Sequence, residues 1–519
     1  MAGAGEAAVA EATPSGGARV LIASNRGPIA FEVGADGRLT GRRGSGGLVT
    51  GLQDAARDPV VATGGSMWVC AALGDADRRA TREAPAGRLD RAGYDTGVPV
   101  RMLDVDPVTF HEAYNAIANR TLWFIQHMLY ATTEAPSFGP DFRRGWAAFE
   151  LYNALFARAL AAEAAADAAV FVQDYHLALV PGYLRELRPD LRIAHFSHTP
   201  WAPPEYFRVL PDDVARALLT GMLGADRLGF LAQRWADAFE ACCVDALGTR
   251  AAGPAASIRF AGRTTDIGIH PLGVDAEALA ERAAAPDVTR RVGQLRTLTA
   301  GRRLIVRIDR TELSKNIVRG LEAYRELLRT HPEWIGRVVH LVYACPSRDA
   351  LPEYRRYMAA VQRTAAEICA EFAVDGWVPL HLEVSDDYPR SLAALSLAEV
   401  LVVNPVRDGM NLVAKEGPVL SRDGVALVLS REAGVCAQMG QDAFVVNPFD
   451  VSATAAAMHD ALCLPVPERR ARTARLAAVA TALPPRAWFR DQIEALARSG
   501  PSLGPEPPPG RARPGHRAG

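Results

Sequence analysis

Short apolar runs recur along the chain, and stretches with the three-to-four-residue spacing of amphipathic helices follow most of them. Polar residues come directly after many of these runs, at the point where a strand would end and a turn begin. This alternation of strand and helix predicts parallel sheets covered by helices. The runs that we expect to form strands are Arg19–Ser24, Ala169–Gln173, Leu191–Phe196, Arg227–Leu231, Leu304–Ile308, Val338–Ala344, Val378–Val384, Val400–Val403, Val425–Leu429 and Phe444–Val446.

The alternation occurs twice, once on each side of a connecting segment at residues 269–275. It predicts an α/β fold with two Rossmann-like doubly wound domains that face each other across a cleft. The length of 519 residues suits two domains of roughly 200–250 residues each. On pattern alone, a transferase, a dehydrogenase, an epimerase and a binding protein fit equally. The predicted units are a disordered leader (1–17), an N-terminal domain (18–270), a C-terminal domain (271–484), a terminal helix that packs back on the N-terminal domain (485–499) and a disordered tail (500–519).

Composition narrows the class of protein. The formal net charge is −1, and nucleic-acid and membrane-surface proteins usually carry a basic excess, so neither partner is expected. Seven scattered cysteines without a C-x-x-C pair argue against disulfides and a zinc site. The leader lacks the basic and apolar segments of a signal peptide, and no apolar run approaches the ~20 residues of a membrane span. We therefore expect a soluble, cytoplasmic enzyme, and the sequence leaves open whether it forms a homo-oligomer.

The segment after the run Val400–Val403 carries the most informative chemistry. A tight turn follows at Arg407-Asp408-Gly409-Met410, and helical spacing starts at Asn411. A helix N-terminus at the carboxyl end of a parallel strand offers unpaired N–H groups to sugar hydroxyls or phosphates. Glu416, farther along this helix, is placed to accept from a ribose diol. The alternative interpretation is that Asp408 caps the helix and Glu416 is a solvated carboxylate.

Other parts of the sequence contain weaker candidates for ligand binding. A glycine-rich loop at Gly44–Leu48, followed by a helix-like stretch to Ala56, is a weak signal for a phosphate contact. Asp104-Val105-Asp106 resembles a metal-binding D-x-D motif, but it precedes Pro107, and we predict a loop. Lys315 and Lys415 are the only lysines, which makes each of them a candidate.

Several motifs together resemble the trehalose-6-phosphate synthase family, glycosyltransferase family 20. They are Ser24-Asn25-Arg26, Asp174-Tyr175-His176, the run Asp309-Arg310-Thr311-Glu312-Leu313-Ser314-Lys315 and the segment Arg407–Glu416. The resemblance extends from about Val20 to Ala497. It implies a retaining, metal-independent enzyme of GT-B fold, with no cofactor and with a nucleoside-diphosphate glucose (UDP- or GDP-glucose) and glucose 6-phosphate as its partners.

The resemblance also implies roles for individual residues. Those matching the family's donor site are Gly47 in the loop over the diphosphate, Arg310 and Lys315 on the diphosphate, Asp408, Gly409, Met410 and Asn411 on the glucose, Leu412 and Val413 near the phosphates, and Glu416 on the ribose. Those matching the acceptor site are Arg26, Tyr114, Trp123 and Arg348 on the phosphate and Asp174 on the hydroxyls. Arg310, Lys315, Asp408 and His198 are the residues expected to carry the catalysis.

Four departures from the family pattern leave donor identity open. Asn316 replaces the usual glycine after the lysine, Gln173 the usual histidine and Asn404 the usual threonine or serine. The usual Asp-Tyr before Ser314 is Glu312-Leu313. Three alternatives remain: glucosylglycerol-phosphate synthase, a cyclitol-joining pseudo-glycosyltransferase and a catalytically silent regulatory homologue. The intact acceptor set argues against the first two. The third would be expected to lose Arg310 or Lys315, and both are present.

Overall fold

The computed structural model describes residues 17–43, 65–251, 256–348 and 351–499. Gly47, the predicted helix after it, residues 1–16 of the leader and the tail from residue 500 lie outside these ranges. Every statement below concerns the described residues. None of their helices has the length and apolar character required to cross a membrane.

The first sheet has nine strands in the order β5-β4-β1-β6-β7-β8-β11-β10-β9. Seven of them, from β5 to β11 in this order, are parallel, and β10 and β9 extend the edge as antiparallel strands. The strands are β1 (Ala18–Ala23), β4 (Ser66–Ala71), β5 (Val100–Leu103), β6 (Ala164–Gln173), β7 (Arg192–Ser197), β8 (Arg227–Phe230), β9 (Arg250–Ala251), β10 (Ser257–Phe260) and β11 (Arg263–Ile269). A separate hairpin is formed by β2 (Ile29–Val33) and β3 (Leu39–Arg43).

The second sheet has six parallel strands in the order β14-β13-β12-β15-β16-β17. They are β12 (Arg303–Arg310), β13 (Val338–Cys345), β14 (Leu380–Glu383), β15 (Val400–Val403), β16 (Ala426–Ser430) and β17 (Phe444–Val446). Its central strands are apolar and buried over most of their length, as expected for a sheet covered on both faces. The predicted α/β class with parallel sheets is therefore confirmed.

Helices connect the strands of both sheets. In the first part of the chain they are α1 (Asp75–Glu83), α2 (Pro107–His111), α3 (Trp123–Gln126), α4 (Pro140–Glu163), α5 (Val180–Leu187), α6 (Pro204–Phe207), α7 (Asp212–Met222) and α8 (Gln233–Leu247), with a π-helix at Glu112–Leu122 between α2 and α3. In the second part they are α9 (Ala276–Ala283), α10 (Pro286–Thr299), α11 (Ile317–Thr330), α12 (Pro352–Glu371), α13 (Tyr388–Leu397), α14 (Val413–Leu420), α15 (Cys436–Met439), α16 (Val451–Cys463), α17 (Val466–Ala480) and α18 (Pro485–Arg498).

The last helix, α18, contacts elements of the first sheet. The ring of Phe489 lies 4.9 Å from that of Phe171 in β6, and the indole N–H of Trp488 donates to the carbonyl of His270 at 2.8 Å. Arg192 in β7 donates to the carbonyl of Leu496 at 2.6 Å. The buried aromatic rings and the hydrogen bond from the Arg192 guanidinium hold α18 against the first sheet.

Candidate active site

Segments that follow strands of the two sheets meet at Gly409. A Cβ atom at this position would overlap the carbonyl of His198, which follows β7, so only glycine allows the close approach. The indole N–H of Trp235 donates to the Gly409 carbonyl at 2.9 Å, and Arg407 donates to the Trp201 carbonyl at 2.8 Å. The turn after β15 is thereby held against the carboxyl rim of the first sheet.

Two cations stand at the carboxyl end of β12. The Lys315 ammonium donates to the Asp408 carboxylate at 2.5 Å, and the side chains of this pair are 13% and 15% exposed. Burial lowers the pKa of Lys315, but the carboxylates of Asp408, Asp309 and Glu312 together raise it above its usual value. Arg310 pairs with the buried Glu312 at 2.9 Å, while its own side chain remains 55% exposed. A fixed ammonium and an accessible guanidinium therefore adjoin the same turn.

The turn after β15 presents free donors. In the described part of the chain, the N–H groups of Gly409–Leu412 donate to no acceptor. Asn411 has a φ of +92° and donates to the Asp408 carboxylate at 3.1 Å, while its amide oxygen accepts from the N–H of Ala414 at 3.0 Å. The helix thus begins at Val413, later than predicted, because Asn411 lies in the left-handed region and caps it.

The two charged residues of α14 differ in environment. Lys415 is buried and donates to the carbonyl of Leu272 at 2.7 Å, and burial lowers its pKa to about 8. It links α14 to the segment between the sheets and is unavailable to a ligand. Burial raises the pKa of Glu416 to about 7, and its carboxyl has no hydrogen-bond partner among the described residues. Leu412 and Val413, which precede it, are half-buried beside the turn.

Arg348, which follows β13, points toward the first sheet. Its guanidinium lies 4.0 Å from the ring centroid of Trp123 and donates to the hydroxyls of Tyr354 at 2.6 Å and Tyr175 at 3.3 Å. The backbone of Arg348 has a φ of +52°, an uncommon conformation for a non-glycine residue. Stacking and two hydroxyls fix the guanidinium, since a planar cation favours an aromatic face.

Arg26 and Tyr114 lie on the same side as Arg348. The Tyr114 ring is stacked on His176, with 5.5 Å between ring centroids, and Arg26 is exposed immediately after β1. Burial, together with the positive charges of Arg348 and Arg26, lowers the pKa of His176 to about 3. His176 is therefore neutral and adjoins two arginines.

Asp174 lies between the two groups of cations. Its backbone φ is +73°, and its carboxylate accepts from the N–H of His198 at 3.2 Å. Burial raises the pKa of Asp174 to about 6, although the positive charges of Arg348 and Arg310 act to lower it. His198 shares a hydrogen bond with the Gln173 side chain at 2.9 Å, and burial lowers its pKa to about 3. Asp174 thus lies within electrostatic range of Arg348 on one side and Arg310 on the other, while Gly47 is outside the described ranges.

Two further clusters contain residues that can ligate metals. Asp104 pairs with Arg82 at 2.6 Å, and Asp106 accepts from the N–H of Thr109 at 2.9 Å, capping α2. The D-x-D segment is thus a loop with committed carboxylates, as predicted. Outside the cleft, His331, Glu333 and His459 place ligand atoms within 4.8 Å of one another.

The chain matches the family model described as glycosyltransferase family 20 over residues 18–498. It belongs to this family. It is 32% identical to α,α-trehalose-phosphate synthase [UDP-forming] 2 of Aspergillus niger, over 86% of this chain and 90% of that one. Two solved structures are also similar. The E. coli trehalose-6-phosphate enzyme bound with UDP-2-fluoro glucose is 26% identical, with a TM-score of 0.80 and coverage of 93% and 99%. The Burkholderia xenovorans synthase (UDP-forming) in complex with glucose-6-phosphate is 25% identical, with a TM-score of 0.79 and coverage of 92% and 100%. The chain is therefore a glycosyltransferase of the GT-B fold.

Two of the departures in this family 20 enzyme meet at a buried arginine. Arg307 in β12 is fully buried and donates to the Asn404 side chain and to the carbonyl of Lys315. Asn316 donates to the carbonyls of Asn404 at 3.0 Å and Pro448 at 2.7 Å. Asn404 and Asn316 therefore satisfy buried polar groups and hold the Lys315 loop against β15, so these two departures are structural.

Sequence reasoning missed the residues that support the predicted site residues. The presence of a charge inside an apolar run could have pointed to Arg307. Its position in the same motif as Arg310 could have pointed to Glu312. Tyr354, which accepts from Arg348, carried no signal, since an aromatic residue near a helix start is usually packing. The Gln173–His198 contact required the register of β6 against β7.

Proposed function

We propose that the enzyme transfers glucose from a nucleoside-diphosphate glucose (UDP- or GDP-glucose) to glucose 6-phosphate and forms α,α-trehalose 6-phosphate with retained anomeric configuration. The observation that carries the proposal is a pair of separate cationic groups, one around Arg310 and Lys315 and one around Arg348 and Arg26, with Asp174 between them. Two phosphorylated substrates need two such groups. The names of the matching relatives and their bound ligands agree with these substrates.

The donor is assigned to the second sheet. Arg310 and Lys315 hold the diphosphate, because a leaving group that gains negative charge requires fixed positive charge when no metal assists. The free N–H groups of Gly409–Leu412 and the Asp408 carboxylate receive the glucose hydroxyls and adjacent phosphate oxygens. Glu416 accepts from the ribose, and its raised pKa indicates a carboxyl that gains from hydroxyl partners.

The acceptor is assigned to the opposite wall. The guanidinium groups of Arg348 and Arg26 donate hydrogen bonds to the phosphate dianion, and the Tyr114 hydroxyl adds another. The ring of Trp123 stacks against the guanidinium of Arg348. Asp174 receives hydroxyls of the acceptor sugar. Its position next to Arg348 and Arg310 sets the acceptor oxygen near the diphosphate.

We assign the chemical step to a same-face substitution. A double displacement needs a carboxylate nucleophile and a second acid on either side of the bond. The Asp408 carboxylate is paired with Lys315, and Asp174 is assigned to the acceptor side, so neither is assigned as the nucleophile. The anomeric oxygen of the acceptor therefore bonds to C1 of the donor glucose on the face from which the diphosphate leaves. The departing oxygen keeps the bonding pair and takes the acceptor proton, while Arg310 and Lys315 stabilise its charge. His198, neutral because of burial, is assigned a hydrogen bond to the donor sugar.

The test is to incubate the enzyme with glucose 6-phosphate and either UDP-glucose or GDP-glucose. We expect trehalose 6-phosphate by mass spectrometry with at least one donor, and none when glucose replaces glucose 6-phosphate. Absence of product with both donors would refute the proposal, and transfer to a different acceptor would replace it.

A further inference from the structure

A cluster of side chains that can ligate a metal lies outside the cleft, where the ends of two neighbouring helices meet. His331 directly follows α11, Glu333 lies in the 3₁₀ turn Pro332–Trp334, and His459 is near the end of α16. One ring nitrogen or carboxylate oxygen from each lies within 4.8 Å of those from the other two. The cluster thus joins two segments that are distant in the chain.

A fourth ligand is adjacent to this cluster. Cys463 is exposed and lies four residues after His459 on α16, so both side chains project from the same face of the helix. The Sγ atom of Cys463 is 3.6 Å from Nε2 of His459. The sequence argues against a zinc site because it has no C-x-x-C pair, whereas the fold brings this thiol beside histidine and carboxylate groups.

The ligand atoms are close enough to converge on one ion. The imidazole rings of His331 and His459 are stacked with 3.6 Å between their centroids, and Nδ1 of His331 is 3.3 Å from the Glu333 carboxylate. Ligand atoms at about 2.0–2.3 Å from a tetrahedral zinc ion are roughly 3.3–3.8 Å from one another. The two histidines are partly exposed and Glu333 is exposed, so small side-chain rotations close the cluster around an ion.

The indole of Trp334 controls which nitrogen of His459 carries the ring proton. Its N–H donates to Nδ1 of His459 at 3.1 Å, so the proton of the neutral ring is on Nε2. A metal bound at Nε2 requires this proton on Nδ1, and the bond from the indole is then lost. Metal binding at Nε2 therefore costs about one hydrogen bond and changes the environment of Trp334.

We propose that His331, Glu333, His459 and Cys463 bind one Zn²⁺ ion, which clamps the end of α16 to the turn after α11. Two neutral imidazoles, a carboxylate and a thiolate suit a borderline-soft ion with tetrahedral coordination. The carboxylate and the thiolate balance its two positive charges, and the thiol proton is released to solvent. Mg²⁺ prefers oxygen ligands and does not compete.

The ion is structural and is independent of the proposed reaction. Helix α11 has 14 residues, so its length of about 21 Å separates the cluster from the Lys315 loop at its other end. The ligands come together only in the folded chain, and the ion therefore stabilises the packing of α11 and α16.

The experiment is a calorimetric titration of the untagged, chelator-treated enzyme with zinc. We expect one ion per chain with a Kd of about 1 μM or lower, and no binding of Mg²⁺ at the same concentrations. Cobalt in place of zinc should give the intense visible bands of a tetrahedral ion and a thiolate charge-transfer band. A hundredfold excess of zinc over Kd should raise the unfolding temperature by roughly 5 °C.

Variants assign the ligands. His459→Asn and, separately, Glu333→Gln should weaken zinc binding at least roughly 100-fold, because loss of even an outer-shell partner costs about 10- to 100-fold. Cys463→Ser should weaken binding and remove the charge-transfer band of cobalt. Trp334→Phe should tighten binding by about 2- to 10-fold, because Nδ1 is then free to carry the ring proton. His111→Asn removes an exposed histidine outside the cluster and should bind zinc like the wild type.

Two results would overturn the proposal. They are the absence of binding by the wild type at about 100 μM zinc and unchanged affinity in both His459→Asn and Glu333→Gln. Unchanged affinity in Cys463→Ser, with no charge-transfer band for cobalt in the wild type, would refute coordination by the thiolate. Glu333 and Cys463 are exposed, so their variants keep the fold and decide the result even if His459→Asn does not fold.

Discussion

Replacing Arg310 by alanine separates stabilisation of the leaving group from stability of the fold. The guanidinium is 55% exposed, but its partner Glu312 is fully buried, so removing the cation leaves a buried carboxylate with less compensation. Glu312 keeps the Ser347 hydroxyl at 3.1 Å and the positive charges of Arg348 and Lys315, so the free energy of unfolding should fall by about 1–3 kcal/mol. In the transition state the same guanidinium meets the charge of the departing diphosphate. Removing a hydrogen-bond donor of this kind lowers turnover by roughly 10²–10³-fold, which corresponds to about 3–4 kcal/mol of transition-state stabilisation.

The assay follows nucleoside-diphosphate release and trehalose 6-phosphate formation under saturating substrates, with thermal unfolding measured on the same samples. Arg329→Ala is the matched control, because Arg329 is also 55% exposed and paired with a glutamate, Glu371, on the outer face of the C-terminal half. It should keep the turnover of the wild type. Turnover of Arg310→Ala within threefold of the wild type would refute the assignment of Arg310 to the leaving group.

Three other predictions concern buried and cleft-lining side chains. Lys315→Met should abolish turnover and lower the free energy of unfolding by about 3 kcal/mol, because it leaves the largely buried Asp408 carboxylate unpaired. Adding Asp408→Asn should recover part of the stability in denaturant titrations and none of the activity, and recovered activity would contradict the roles assigned here. Glu416 has a pKa of about 7 when folded, above its unfolded value, so it binds its proton more tightly in the folded state and opposes folding increasingly as pH rises from about 4 to about 7. Glu416→Gln should therefore gain stability relative to the wild type between pH 5 and pH 8, by about 2 kcal/mol, and a constant difference would refute the raised pKa. Tyr114→Phe should raise the KM for glucose 6-phosphate by roughly tenfold with an unchanged donor KM and unchanged unfolding, since it removes only a hydroxyl that would bond a charged phosphate. Equal increases in both KM values would place Tyr114 outside the acceptor site.

The second sheet was predictable because its strands are buried on both faces and appear as continuous apolar runs. Val400–Val403 is of this kind, Leu304–Ile308 is interrupted only by Arg307, and both form central strands. β4 and β5 were missed. β4 contains Trp68 and Cys70 among small residues, and β5 is four residues long, so neither gives a periodic signal without its neighbours. Their register comes from the sheet.

The helical region around Tyr114 and Trp123 shows a second limit. The interleaved aromatic and polar residues from Val108 to Tyr130 are typical of helices, and the structure forms helices there. It also places a π-helix at Glu112–Leu122, whose wider turn depends on packing and leaves no mark in composition.

The family resemblance supplied the motif residues of the site. Their common position at one rim was predictable because the motifs follow strands, and the carboxyl ends of parallel strands share one rim. What sequence cannot supply is the set of contacts made across the cleft. Arg348 depends on Tyr175 from the first sheet, and Gly409 on the carbonyl of His198. These pairs are far apart in the chain and meet only through the fold.

Glucosyl transfer to glucose 6-phosphate with retention is tested by NMR and mass spectrometry of the product formed from glucose 6-phosphate with GDP-glucose and with UDP-glucose. We predict a disaccharide phosphate with both anomeric centres in the α configuration. A product with a β-linked glucose, or no disaccharide phosphate with either donor, would contradict it.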